Sequence, residues 1–304
     1  MIRTVLGDIA PDQLGICLPH EHLLARPPAP YDADDPDLVL DDPDAAAAEL
    51  VDWRAAGGGA LVEMTPIDYH RDAAGVRALS ERTGVHLVCI TGYLKEKFSK
   101  PFIENETVES LAARMIREIN DGIDATGVRA GAIKAASSLN AITPLEARVF
   151  QAAARAQRAT GALITTHTEA GTAALDQIAL LTGAGVPPDR ILIGHLDRHM
   201  DWGYHQQIAA TGVYMGFDQI GKAKYAPDAD RAAMIARLID TGHVAQLMLS
   251  MDIARRSSFR HDGGSPGFVH LLTDFVPTLR AANVREDAIR TMIRDNPARA
   301  FNLS

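Results

Sequence analysis

Leu14-Gly15-Ile16-Cys17-Leu18-Pro19-His20-Glu21-His22 is a short apolar run that ends in two histidines. Leu14 to Leu18 reads as a strand. Because side chains alternate faces along a strand, His20 and His22 point one way and Glu21 the other. Two imidazoles aimed at one spot are the start of a metal site. A lone His-x-His is also common among exposed or hydrogen-bonded histidines, so its meaning depends on what else the chain brings to the same place.

The rest of the chain alternates regularly. Residues 2–18 read as a hairpin whose second arm leads into His20, and the Pro- and Asp-rich residues 26–44 read as loop. Helices are expected at 44–56, 70–83, 107–120, 143–159, 172–182, 201–211, 229–240, 268–282 and 286–294. Asp44, Thr107 and Thr143 are the expected caps for three of them. Strands are expected at 60–65, 86–91, 131–135, 163–167, 191–195, 213–217 and 246–251. With the strand before His20 this makes eight strand-helix units, which fit a closed (β/α)₈ TIM barrel with a short N-terminal β-hairpin. The whole of residues 1–304 is read as one such domain. An open doubly wound sheet is the alternative, but no G-x-G-x-x-G follows the first strand.

Composition narrows the function. The chain is 47% hydrophobic but only 5% aromatic, which suits a core of Ala, Leu, Ile and Val. Thirty basic against thirty-nine acidic residues give a net charge of −9, so no general nucleic-acid-binding surface is expected. Cys17 and Cys89 are the only cysteines, and both lie in apolar runs as small buried thiols. With no apolar run of membrane-spanning length and no signal-like core at Met1 to Asp8, a cytoplasmic protein without a membrane partner is expected.

In such a barrel, active-site residues sit at the carboxyl ends of strands. His20 and His22 end the first strand, Lys134 lies near the end of the fourth, His167 ends the fifth, His195 the sixth and Asp252 the eighth. Taken singly, each has an ordinary role: a snorkelling lysine, core histidines, an N-cap. Together they share one strand position and ring one mouth. Four neutral imidazoles and one aspartate cannot balance two divalent cations, so a bridging anion is needed. A desolvated lysine amine can capture carbon dioxide as a carbamate, making Lys134 a ligand rather than a cation.

At these residues the chain resembles the phosphotriesterase family of the amidohydrolase superfamily. The matching segments are Pro19-His20-Glu21-His22, Arg129-Ala130-Gly131-Ala132-Ile133-Lys134, Thr165-Thr166-His167-Thr168, Ile193-Gly194-His195, Ser250-Met251-Asp252 and Asn296-Pro297-Ala298-Arg299, spread over nearly the whole chain. The resemblance implies a binuclear metal hydrolase with N6-carboxylated Lys134 and two divalent metal ions, zinc by default and manganese or cobalt as alternatives. It implies that His20, His22 and Asp252 hold one ion and His167 and His195 the other, with carboxylated Lys134 and a hydroxide bridging them. Asp252 is then the catalytic proton acceptor. The resemblance also suggests a homodimer.

The loops set the substrate expectation. Gly221-Lys222-Ala223-Lys224-Tyr225 and Asp252-Ile253-Ala254-Arg255-Arg256 put Lys222, Lys224, Arg255 and Arg256 beside the metals of an otherwise acidic protein. A small anionic lactone is therefore expected, namely a phosphorylated sugar lactone opened to its acid. The runner-up is a lactonase or esterase for unphosphorylated substrates with phosphotriester turnover as a side activity. Tyr93 matches a family segment that supplies a pocket aromatic, although Leu94 departs from that pattern. Gln219 stands where some relatives carry a proton-relaying histidine, a role it cannot take. Asp197 is expected to orient a ligand or to cap the next helix.

Overall fold

The computed structural model describes residues 1–303. β1 (Ile2–Thr4) and β2 (Gly7–Ile9) form the N-terminal hairpin, with Ile2 opposite Ile9. The hairpin's second arm is therefore Gly7–Ile9, and not the strand that leads into His20. That strand, β3 (Ile16–Glu21), is buried on both faces and pairs in parallel with β4 (Gly58–Glu63), as doubly covered apolar strands do.

From β3 the chain winds through β4, β5 (His86–Gly92), β6 (Ala132–Ser137), β7 (Leu163–Thr168), β8 (Ile191–Ile193), β9 (Tyr214–Phe217) and β10 (Leu247–Leu249). These eight parallel strands follow one another in sequence order around the barrel, with helices between them. Thr107 and Thr143 cap their helices as the sequence predicts. Asp42, rather than Asp44, caps Pro43–Ala55, because its carboxylate reaches the N–H groups of Asp44 and Ala45. The sequence pattern missed the helix Glu96–Ile103, whose apolar face of Phe98, Phe102 and Ile103 is interrupted by Pro101, and the short turn Tyr31–Asp34. Among the described residues, no helix is long and apolar enough to cross a membrane.

Alternation sorts the strand residues. Cys17, Ala60, Val62, Val88, Ile90, Ala132, Leu163 and Met248 fill the barrel interior, while Leu18, Leu61, Leu87 and Ile133 pack outward against the helices. Two residues beyond Ala132, the inward row carries Lys134. Four beyond Leu163, it carries His167. β3 departs from this rule, since strict alternation would send His20 outward with Leu18. A register shift between Leu18 and Glu21 re-aims it toward the interior.

No strand ladder joins β10 to β3 among the described residues. The seam is closed instead by separate bonds at residues just past the end of β10, among them Asp252 N–H to His20 O at 3.1 Å and His22 N–H to Ile253 O at 3.2 Å. Away from the seam, β5 and β6 approach so closely at Gly92, φ +104°, that an added Cβ would lie 2.0 Å from the Lys134 carbonyl oxygen. Gly92→Ala is accordingly expected to destabilise the fold by at least ~2 kcal/mol, from overpacking and backbone strain together, as read by thermal unfolding.

Candidate metal and active site

The strand ends bring His20, His22, Lys134, His167, His195 and Asp252 together at one mouth. Lys134 Nζ lies 3.0 Å from His20 Nε2, and His195 Nε2 lies 2.8 Å from His167 Nδ1. Asp252 Oδ1 is 3.4 Å from His22 Nε2 and 3.8 Å from His20 Nε2. The His20 and His195 rings stand 4.8 Å apart. Residues separated by more than two hundred positions thus share one buried pocket, with Lys134 only 1% exposed.

Hydrogen bonds behind the imidazoles set their tautomers. Glu63 accepts the Thr65 hydroxyl at 2.5 Å, which leaves that oxygen to accept His22 Nδ1–H at 2.8 Å and turns the His22 Nε2 lone pair inward. Asp218 accepts His195 Nδ1–H at 2.6 Å, and Glu169 sits 3.3 Å from His167 Nε2. With those protons outward, His195 Nε2 and His167 Nδ1 present two lone pairs to each other at 2.8 Å. Such an approach is repulsive unless a cation lies between the two nitrogens, so the donor set fits a metal ion.

Electrostatics point the same way. Burial, with the neighbouring His195, brings His167 down to about 3, and burial with Lys134 alongside takes His20 well below the ordinary imidazole range. Both rings are neutral, as ligands must be. Burial lowers Lys134 to about 8 although Asp252, Asp218, Glu63 and Asp68 pull the other way, so part of it is free amine near neutral pH. Burial alone would raise the Asp252 carboxyl, but Lys222 and His22 hold it well below the usual carboxylate value. Two neutral imidazoles, His20 and His167, one ionised carboxylate and a lysine with a fraction of free amine form part of a donor group for cations.

Over this floor opens a cavity of about 410 Å³, within the range of small-molecule sites. His167, His195 and Asp252 form its base, and Arg198, Lys222, Lys224, Arg255, Tyr225, Ser257 and Ser258 line its walls. A larger cavity of about 620 Å³, between Leu24–Leu40 and the helix Ala73–Thr83, contains none of the clustered residues.

The expected substrate-binding residues separate into three groups. Lys224 and Arg255 line the cavity, the latter paired at 2.9 Å with Asp35 and at 3.1 Å with Asp37 from the acidic loop. Lys222 also lines it, but its ammonium is committed to the Asp252 carbonyl at 2.5 Å, to Asp252 Oδ2 at 3.0 Å and to Gln219 Oε1 at 3.0 Å. Tyr93 and Arg256 are corrections to the sequence reading. Tyr93 is 1% exposed with its hydroxyl accepting from Arg114 at 2.8 Å, and Arg256 turns away to Asp41 at 2.6 Å. Neither lines the cavity.

Asp197 plays neither of its two expected parts. It is fully buried against Arg231 at 2.7 Å and accepts the N–H groups of Asp218 and Gln219, so it holds the loop that carries Asp218. Gln219 donates to Asp252 Oδ2 at 2.8 Å. Sequence reasoning missed Asp218, Glu169 and Arg198. Arg198 stacks 4.2 Å over the Tyr225 ring at the cavity wall. Asp218 lies one residue past the end of β9, so the strand-end rule that located the histidines would have found it.

A sequence model described as the phosphotriesterase family matches residues 1–301. The crystal structure of a lactonase from Listeria monocytogenes is 37% identical and superposes with a TM-score of 0.95, covering 100% of this chain and 99% of that one. The phosphotriesterase homology protein from Escherichia coli, crystallised with phosphate in its active site, is 37% identical with a TM-score of 0.92, over 96% of this chain and 100% of that one. A phospho-furanose lactonase from Mycoplasmopsis synoviae is 31% identical over 98% of this chain and 91% of its own length.

Proposed function

The chain belongs to the phosphotriesterase family, and on that basis we propose that it is a two-metal lactonase that opens a phosphorylated sugar lactone to its acid. The observation that carries this reading is the combination of a buried His₄-Asp-Lys cluster with a cavity walled by Arg198, Lys224 and Arg255. The Mycoplasmopsis relative named for phospho-furanose lactones and the phosphate held in the Escherichia coli structure support it.

His20, His22 and Asp252 would hold one divalent cation, His167 and His195 the other, and Lys134, as its carbamate, both. Zinc is the default for such a ligand set, with manganese and cobalt as alternatives. Two cations held there would supply Lewis acidity, to acidify a bound water and to polarise a carbonyl oxygen. The chain's own residues do the rest. Arg198, Lys224, Arg255 and the hydroxyls of Ser257 and Ser258 seat the anionic end of the substrate, which leaves the carbonyl over the His167, His195 and Asp252 floor.

Asp252 turns Oδ1 toward the histidines, whereas Oδ2 takes bonds from Gln219 and Lys222. As water adds to the carbonyl carbon, Asp252 accepts its proton and returns it to the ring oxygen when the ester bond breaks. The products are a carboxylic acid and a free hydroxyl.

A kinetic comparison of phosphorylated and plain sugar lactones tests the substrate class. The phosphorylated series should have the higher kcat/KM, and Arg255→Ala or Lys224→Ala should raise its KM by about tenfold or more with little effect on plain lactones. Equal effects on both series would refute the phosphate reading. The pairing of Arg255 with Asp35 and Asp37 favours the runner-up, a lactonase for unphosphorylated substrates, and the same comparison decides between them.

A further inference from the structure

Glu21 stands between the two histidines of the opening motif, faces away from them and takes no part in the chemistry described above. It is 0% exposed, yet it is fully engaged. Oε1 accepts the Met251 N–H at 2.7 Å and the Ser250 hydroxyl at 2.7 Å, and Oε2 accepts the Ile253 N–H at 2.7 Å. Met251 and Ile253 are the two residues flanking Asp252.

Asp252 has φ +48°, in the left-handed region, where a residue other than glycine stays only if its surroundings dictate it. Its own N–H bonds to His20 O at 3.1 Å. Because no ladder joins β10 to β3 among the described residues, these few contacts hold residues 250–253 against the first barrel strand.

We propose that Glu21 is a positioning residue for Asp252. Its carboxyl group grips the chain on both sides and imposes the left-handed backbone that aims Oδ1 at His20 and His22 and Oδ2 at Gln219 and Lys222. The inference rests on the reading that Asp252 holds a metal ion and carries the proton.

A carboxylate is needed because three donors converge on two oxygens. Glutamine would oppose one N–H with its own NH₂, lose that contact and loosen one side of Asp252. Glu21→Asp would keep both acceptor oxygens but fall one methylene short of the segment. If Glu21 merely tied β3 to β10, either change would lower the melting temperature without altering metal binding.

The test strips wild type, Glu21→Gln and Glu21→Asp of metal and titrates each with Zn²⁺ against a competing chromophoric chelator. After reloading at saturating metal, kcat and KM for a lactone are measured. Wild type should take up two ions. In the variants one ion should bind about 10- to 100-fold more weakly while the other keeps its affinity, and kcat should fall at least ~10-fold with KM nearly unchanged. Wild-type affinity for both ions with unchanged kcat, whatever the melting temperature, overturns the role of Glu21. A wild type that takes up no ion overturns the underlying reading instead. If Glu21→Gln is recovered unfolded, Glu21→Asp decides by the same titration.

Discussion

Lys134→Ala is expected to yield a folded barrel that has lost its bound divalent metal and at least ~10³-fold of its hydrolytic activity, part of which returns on adding acetate or propionate. The reasoning begins with burial. A lysine 1% exposed, lowered to about 8 and placed 3.0 Å from His20 Nε2 keeps a fraction of free amine near neutral pH. As free amine it can add carbon dioxide, releasing one proton and leaving an anionic carbamate with two oxygens. Alanine removes that anion and opens a space that a short carboxylate fits. Elemental analysis of the purified variant, with turnover measured across a carboxylate series, checks the expectation. Full metal content and undiminished turnover in the variant would exclude the bridging role.

Asp252→Asn should lower kcat by about 10³- to 10⁴-fold at saturating metal, the range expected when a positioned proton acceptor is lost. Asparagine matches the shape and tolerates the left-handed backbone at φ +48°, so the seam should survive. The amide cannot accept the water's proton, and its NH₂ would confront the donors Gln219 and Lys222, which lie at 2.8 Å and 3.0 Å from Oδ2. Circular dichroism should therefore be unchanged while the acid limb of the kcat profile disappears. A variant with near wild-type kcat would move the proton-accepting role elsewhere.

The convergence of His20, His22, Lys134, His167, His195 and Asp252 was legible in the sequence because it depends on strand ends, and apolar runs bounded by helix caps mark those ends well. The eight-strand order followed from the same pattern. What escaped was decided by partners distant in the chain. Arg256 reads as a free cation until Asp41, 215 positions away, is folded against it at 2.6 Å. Tyr93 reads as a pocket aromatic until Arg114 takes its hydroxyl inside the wall. The inward aim of His20 came out right for an incomplete reason, since plain alternation from Leu18 fails and a register shift restores it. Asp218 was open to the same strand-end rule, whereas nothing beside Glu63 or Glu21 in sequence hints that one serves His22 through Thr65 and the other the backbone across the barrel.

Arg255 reaches the cavity with Asp35 and Asp37 already at its guanidinium, at 2.9 Å and 3.1 Å. A ligand entering there must trade places with resident counter-ions instead of filling a vacant field. Such an exchange would favour a dianion over a monoanion, so the aspartate-rich loop would serve as a charge-density filter for anything that binds at Arg255.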